Sequence, residues 1–397
     1  MAQRYGIGGM GISKIVLWVV CWVGIFVANG SIEFRNSQEC DGAQGSDSEV
    51  GADRLWVVQE GKGRGVIGVS STASEREMEA GGNIPEYLGG YVMSYDPSTQ
   101  TAESYGMPMP LTETLRGQGK KEGQGVIDVT ADEARGILYV ITCEEQHWML
   151  YDFRSKSYRN LGVTLRDQPN TLIDLKGRGC AITADYRLAR YVPGDGDAMS
   201  GTVFIDALMV GERPLSEVIG KDCVHPDWRI SADGTTAYLQ FLNDLRMFRV
   251  DLRGEVGIPV AVEDLGNRKD GKNPDSRGSI SVGPDGGVYS VIRIDNETGF
   301  GTGYLHHVVR HDPKRGGMED LGVLAVTNPE FFDFQAGPKL NLDGSPRPVH
   351  GFHRLPDGTL TPLHAVLGMI ITRDGTLYAT TLYPFTLMKQ VQVEPGK

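Results

Sequence analysis

From about residue 54 onward, short runs of alternating apolar and polar residues are separated by breaks rich in Gly and Asp. That period of two, over segments too short for helices, predicts β-strands with one face buried. The stretch from His225 to Leu252 shows the unit most clearly. It predicts a strand over Trp228–Ser231, a tight turn at Asp233-Gly234, a strand over Thr236–Leu242, a polar loop and a strand over Met247–Asp251. Asp-Gly between alternating runs is a strong hairpin signal, because Gly tolerates the positive φ that a tight turn needs.

Variants of this unit recur. One begins at Leu55 and ends at TAESYG, and a second runs from GVIDVTAD to SYRNLG. A third contains TLIDLKGRGCAIT, the fourth closes with VEDLG, and the fifth runs from SISVGPDGG to MEDLG. The last is MIITRDGTLYATTL followed by TLMKQVQV. The closing glycines Gly106, Gly162, Gly266 and Gly322 lie 56, 104 and 56 residues apart, the middle interval fitting two units. Self-similarity on this scale, with four short strands per unit, predicts a β-propeller of four-stranded antiparallel blades. Six units are visible, and residues 325–362, with FFDFQ as inner strand, make a degenerate seventh, so seven blades are favoured over six. A tandem of small β-sandwiches is the structural rival. Residues 54–397 read as one domain.

The N-terminus follows a different pattern. Arg4 and Lys14 precede an unbroken apolar run, Ile15 to Ala28, with small residues at Ala28 and Gly30. This is the layout of a signal peptide over residues 1–30, the alternative being an uncleaved membrane anchor. Residues 31–53 read as a polar linker, in which Ser31–Arg35 is a candidate strand to close the ring. The expected location is therefore periplasmic or extracellular. Cys40, Cys143, Cys180 and Cys223 remain after cleavage, enough for two disulfides in an oxidising compartment or for buried free thiols.

Composition narrows the partners. Of 397 residues, 23% are charged and 40% apolar, as in a globular chain, and the net charge of −12 argues against nucleic-acid binding. Four motifs or near-motifs carry no chemistry. Gly68-Val69-Ser70 lacks the second Gly of a nucleophile elbow, HGFH at His350–His353 is not a zinc-protease helix, the Gly299–Gly303 run is a strand-to-strand insertion, and Glu144-Glu145 is a solvated loop pair. Asp132-Glu133, Asp233 and Asp285 belong to turns.

His225-Pro226-Asp227-Trp228 with Ser231-Ala232-Asp233-Gly234 resembles the signature of TolB-type propellers, within the broad group that includes quinoprotein-like and oligogalacturonate-lyase-like repeats. The resemblance is one of architecture. It implies ligands held by the loops that enter the first strand and join the second to the third.

Aligning the units places Gln124, Asn170, His225, Arg277 and His364 near the first of these points. Tyr91, His147, Arg187, Arg246 and His307 fall at the second. Arg suits carboxylate or phosphate recognition and His suits proton transfer or metal ligation. Two roles follow: Arg277 or Arg187 to neutralise a carboxylate, and His225 or His364 as base. Gln124, His147, Asn170, Arg246 and His307 would bind ligand. His350 and His353, with other histidines, are candidate ligands for a divalent metal such as Mn, Ca or Zn, which the lyase-like resemblance also implies. The leading expectation is an exported propeller binding an anionic or polyhydroxylated ligand of the carbohydrate class, with β-elimination of a uronate as the reaction to test. A non-catalytic scaffold for envelope proteins is the alternative, and a quinone- or metal-dependent oxidoreductase the third.

Overall fold

Strand formation follows the period-of-two pattern. The computed structural model describes residues 88–325, except 97–98, 100, 119–122, 144, 167–169, 221–222 and 298–303, together with residues 366–381; elsewhere it gives the backbone of individual strands. The chain divides into two compact units, Met1–Asp206 with Glu255–Ile258, and Ala207–Gly254 with Pro259–Lys397.

In the first unit, Gly125–Asp132, Ile137–Cys143, His147–Asp152 and Ser157–Thr164 form an antiparallel meander. The next sheet repeats it with Leu172–Ile173, Gly179–Ile182, Leu188–Val192 and Thr202–Asp206. A preceding sheet pairs Arg54–Gly61, Arg64–Ser70, Tyr91–Asp96 and Thr101–Ser104, with Leu17–Val20 antiparallel along its first strand. Alternate residues of the second and third sheets share one core. Trp148 stacks on Tyr139 at 5.7 Å, and the Trp148 indole donates to Thr171 Oγ1 at 3.1 Å. Gly179 lies against that ring: a Cβ there would stand 2.4 Å from Tyr139.

In the second unit, Pro226–Ile230, Thr236–Phe241, Arg246–Asp251 and Val260–Asn267 form the sheet predicted from the His225–Leu252 stretch. Its turn places Gly234 at φ 69°, and Asp233 Oδ1 accepts from the Thr235 amide and the Ser231 hydroxyl. Leu208–Val210 adds in parallel to the outer strand at Val260–Val262, and Arg213–Pro214 adds beyond it, making six strands. Ile280–Val282, Val288–Asp295, Tyr304–His311 and Met318–Val323 form the following sheet.

These four-stranded antiparallel sheets, met in chain order, are the blades of a β-propeller. Five sheets of four or more strands are present among the described residues, against the seven or six expected. A further sheet, Val366–Ile371, Leu377–Thr381 and Thr386–Gln390, has three strands. Of the expected seventh unit, the structure gives the hairpin Phe352–Arg354 with Leu360–Pro362, while FFDFQ lies outside the described residues. The segment read as a candidate ring-closing strand lies in Ser31–Asn36, which pairs with Val23–Ala28 across a two-residue break.

The closing glycines share one geometry. Gly106, Gly162, Gly266 and Gly322 have φ of 79°, 74°, 85° and 113°. At the last three the outer strand carries extra residues relative to its partner. The side chain two residues earlier accepts from each glycine amide: Ser104 at 3.2 Å, Asn160 at 2.8 Å, Asp264 at 2.9 Å and Asp320 at 3.0 Å. The repeated Ser/Asn/Asp-x-Gly triplet is thus a bulge with its own side-chain brace.

Candidate functional site

The first group of predicted residues stands at the strand entries. Gln124 and His225 immediately precede the first strands of their sheets, Asn170 precedes Leu172–Ile173 by two residues, and Arg277 precedes Ile280–Val282 by three. In the second group, Tyr91, His147 and Arg246 open their strands and Arg187 stands one residue before Leu188–Val192. His307 is the fourth residue of Tyr304–His311, because that strand continues further into its loop. His350 and His364 lie outside the described residues; His353 lies in a strand whose side chains are not described. Of the residues given catalytic roles, His225, Arg277 and Arg187 are therefore described and His364 is not.

The charged members are not free cations. Arg246 holds Asp244 through Nη2 at 2.6 Å and Nε at 3.0 Å, and Asp264 at 3.4 Å. His307 Nδ1 lies 3.0 Å from Asp320, which Lys269 also reaches at 2.8 Å. Arg277 pairs with Asp275 at 3.4 Å, and the same carboxylate takes Arg293 at 3.0 Å. His147 Nε2 is 3.3 Å from Glu145, whose amide donates to Gln124 Oε1 at 2.8 Å, so the Gln124 and His147 loops meet. Arg187 donates to the Ile205 carbonyl at 2.9 Å. Arg246, Arg277 and His307 are thus each faced by a carboxylate, while Arg187 meets a neutral carbonyl. Asp264 and Asp320 serve twice, bracing the bulge glycine and neutralising the third-strand cation.

Burial alone would raise the Asp244 carboxyl; the hydrogen bonds and charge of Arg246 overcome it and hold the group below the usual carboxylate range. Asp320 behaves likewise, with Lys269, the Gly322 amide and His307 outweighing burial. His225 is exposed and has φ 49°, a left-handed conformation that is uncommon for a side-chain-bearing residue and is further restricted before Pro226.

Within the second unit, the loops converge on an open cleft of about 470 Å³ lined by Gly220, Cys223, Asn243, Asp244, Leu245, Asn267 and Pro274. It lies where strand-entry and second-to-third-strand loops meet, and His225, Arg246 and Arg277 follow its lining residues closely in the chain. Two amides and a carboxylate supply its polarity; Leu245, Pro274 and Cys223 supply its apolar wall. Cys223 is a free thiol, 4% exposed, directed at Asp244 Oδ2 at 3.6 Å. Burial first, then the Asp244 charge, push it up to about 11. Cys143 and Cys180 are free as well, so the described cysteines form no disulfide. Among the described residues no group of three or more His, Cys, Asp or Glu side chains is arranged to hold a metal. His311 instead bonds the Gly317 carbonyl at 2.9 Å, and His306 is fully buried.

Sequence reasoning missed the cleft's amides and Arg268, which supports the Asn243–Leu245 loop from below. Two signals were available: Asn243 and Asp244 occupy the connecting loop of the clearest unit, and Arg268 stands two residues after a closing glycine.

No protein-family model and no curated protein matches the chain. Solved structures that resemble it include a Dos1 propeller, at 11% identity and TM-score 0.44, over 88% of this chain and 71% of that one. A fungal alcohol oxidase of the AA5 family in complex with copper is similar at 13% identity and TM-score 0.41, over 84% and 68%. TolB from Acinetobacter baumannii is similar at 10% identity and TM-score 0.34, over 74% and 57%. At these scores the likeness carries nothing about activity, and the architectural assignment stands on the sheet topology: the chain is built of β-propeller blades.

Proposed function

We propose that this protein is an exported β-propeller that binds a neutral, polyhydroxylated ligand of the carbohydrate class in the cleft lined by Asn243, Asp244 and Asn267. One observation carries the reading. In the unit that holds the cleft, the predicted cations already face carboxylates: Arg246 meets Asp244 and Asp264, Arg277 meets Asp275, and His307 meets Asp320. A uronate carboxylate would have to displace one of these, at a cost comparable to breaking a charge-assisted hydrogen bond, about 1.5–3 kcal/mol. A sugar hydroxyl both donates and accepts, and it adds to an amide–carboxylate–amide lining without displacing an ion pair. Export is supported by the run from Ile15 to Ala28. Removing residues 1–30 would take away Leu17–Val20 and leave the first sheet with four strands, like its neighbours.

Titration calorimetry on the chain lacking residues 1–30 tests this, with maltohexaose, cellohexaose, xylohexaose and tetragalacturonate as ligands. The expected result is binding of a neutral hexaose with Kd between about 1 μM and 1 mM, the range of −8 to −4 kcal/mol, abolished by Asn267→Ala. Ultraviolet absorbance should show no unsaturated product from tetragalacturonate. Binding of tetragalacturonate alone would overturn the neutral-ligand reading. Silence with all four would reject it in favour of a protein-binding scaffold.

A further inference from the structure

Arg268 is 2% exposed and its hydrogen-bond partners are neutral. Nη1 donates to Gln240 Oε1 at 2.9 Å, Ser276 Oγ at 2.7 Å and Ser290 Oγ at 3.0 Å. Nη2 donates to the Asp244 carbonyl, and Nε to the Leu245 carbonyl at 3.1 Å. The Arg268 backbone amide also reaches the Leu245 carbonyl, at 2.8 Å. Gln240 is locked in turn: its Oε1 accepts from Ser290 at 2.6 Å and its Nε2 donates to the Ser276 carbonyl at 3.0 Å.

A guanidinium has five N–H donors in a rigid plane. Here three polar side chains fix one end of that plane, and the other end terminates on two consecutive carbonyls of the cleft loop. Those carbonyls belong to residues between two strands, outside the ladder joining Thr236–Phe241 to Arg246–Asp251. A buried cation is costly to desolvate, and apolar replacements of such groups are often no less stable. Its geometric output here is the position of the Asn243–Leu245 loop.

We infer that Arg268 is a positioning residue that holds the Asn243–Leu245 wall of the cleft in its binding shape from inside the fold. The inference rests on the cleft being the ligand site, but its primary readout does not need a ligand. Cys223 lines the same cleft and faces Asp244, so its accessibility reports the loop.

The experiment measures labelling of Cys223 by a maleimide under native conditions, resolved by peptide mass spectrometry, with Cys180 as reporter of wider unfolding. Arg268→Met should raise the Cys223 rate about tenfold or more, as expected for loss of a buried charge-assisted hydrogen bond. The added rate should be insensitive to low urea, because local opening exposes little surface. The double variant Arg268→Met/Gln240→Leu replaces the polar pair with apolar groups. It should recover melting temperature while Cys223 stays fast, a split that a purely stabilising role would not produce. Ser290→Ala, which keeps the guanidinium, should give a smaller acceleration and provides the test should Arg268→Met not fold. Wild-type labelling of Cys223 in Arg268→Met, or in Ser290→Ala if only that variant folds, would overturn the inference. So would labelling that returns to the wild-type rate together with melting temperature in the double variant. Failure of the sugar titrations with the labelling pattern intact would reject the ligand reading and leave Arg268's control of the loop standing.

Discussion

Asp244 sits at the meeting point of three chemistries: it lines the cleft, pairs with Arg246 and accepts from the Cys223 thiol. Its carboxyl is depressed in the folded state, because Arg246 outweighs the raising effect of burial. Such a group contributes stability that is fully present above its unfolded pKa, near 3.9, and is lost as pH falls through the lower folded value. Asp244→Asn should therefore cost about 1–3 kcal/mol at pH 7. The gap to the wild type should narrow below about pH 4, measured by urea unfolding across pH. At this scale the sequence revealed positions better than partners. His225, Arg246 and Gln124 stand where the repeat alignment put them. The carboxylates that Arg246, Arg277 and His307 meet were illegible, because Asp244, Asp264, Asp275 and Asp320 look like ordinary loop residues until the fold brings them beside a cation. Arg268 was hidden for the opposite reason, since arginine is rarely buried and its place two residues after a closing glycine marks a position but not its burial.

The outer strands of four blades turn at a braced glycine, and two glycines of the fold fail differently when given a methyl group. Gly266 has φ 85° and open space around a hypothetical Cβ, so Gly266→Ala should cost only the left-handed conformation, about 1–2 kcal/mol. Gly179 meets the fully buried Tyr139 ring, so Gly179→Ala requires two strands and a stacked Trp148 to shift. Overpacking of this kind adds about 1–3 kcal/mol or more, and urea unfolding should rank Gly179→Ala as the more damaging. Elements were the most legible level. The alternation of Thr236–Phe241 and the Asp233-Gly234 turn are both in the sequence, and the structure moves the strand ends by one or two residues. The bulge was visible as a repeated triplet, but not its function, because a two-residue periodicity does not show where one strand gains a residue.

For the whole chain, an acidic, glycine-rich repeat protein with three free described thiols does not depend on covalent cross-links between those residues. A reductant should leave the melting temperature unchanged, and a fall of several degrees would show a disulfide that the described residues do not contain. Blade architecture was readable because the units repeat the same alternation and four of them carry the closing triplet; blade number was not, because residues 325–362 carry Asp-Gly at 343–344 and 357–358 but no closing triplet. The strand Leu208–Val210 also escaped notice, since it precedes its sheet in sequence and pairs in parallel with that sheet's last strand. Its consequence is practical. A blade excised from His225 to Asn267 would leave the backbone edge at Val260–Val262 bare, ready to recruit a strand from another molecule. The transplantable unit begins at Ala207, a boundary that belongs to hydrogen bonding and not to the repeat in the sequence.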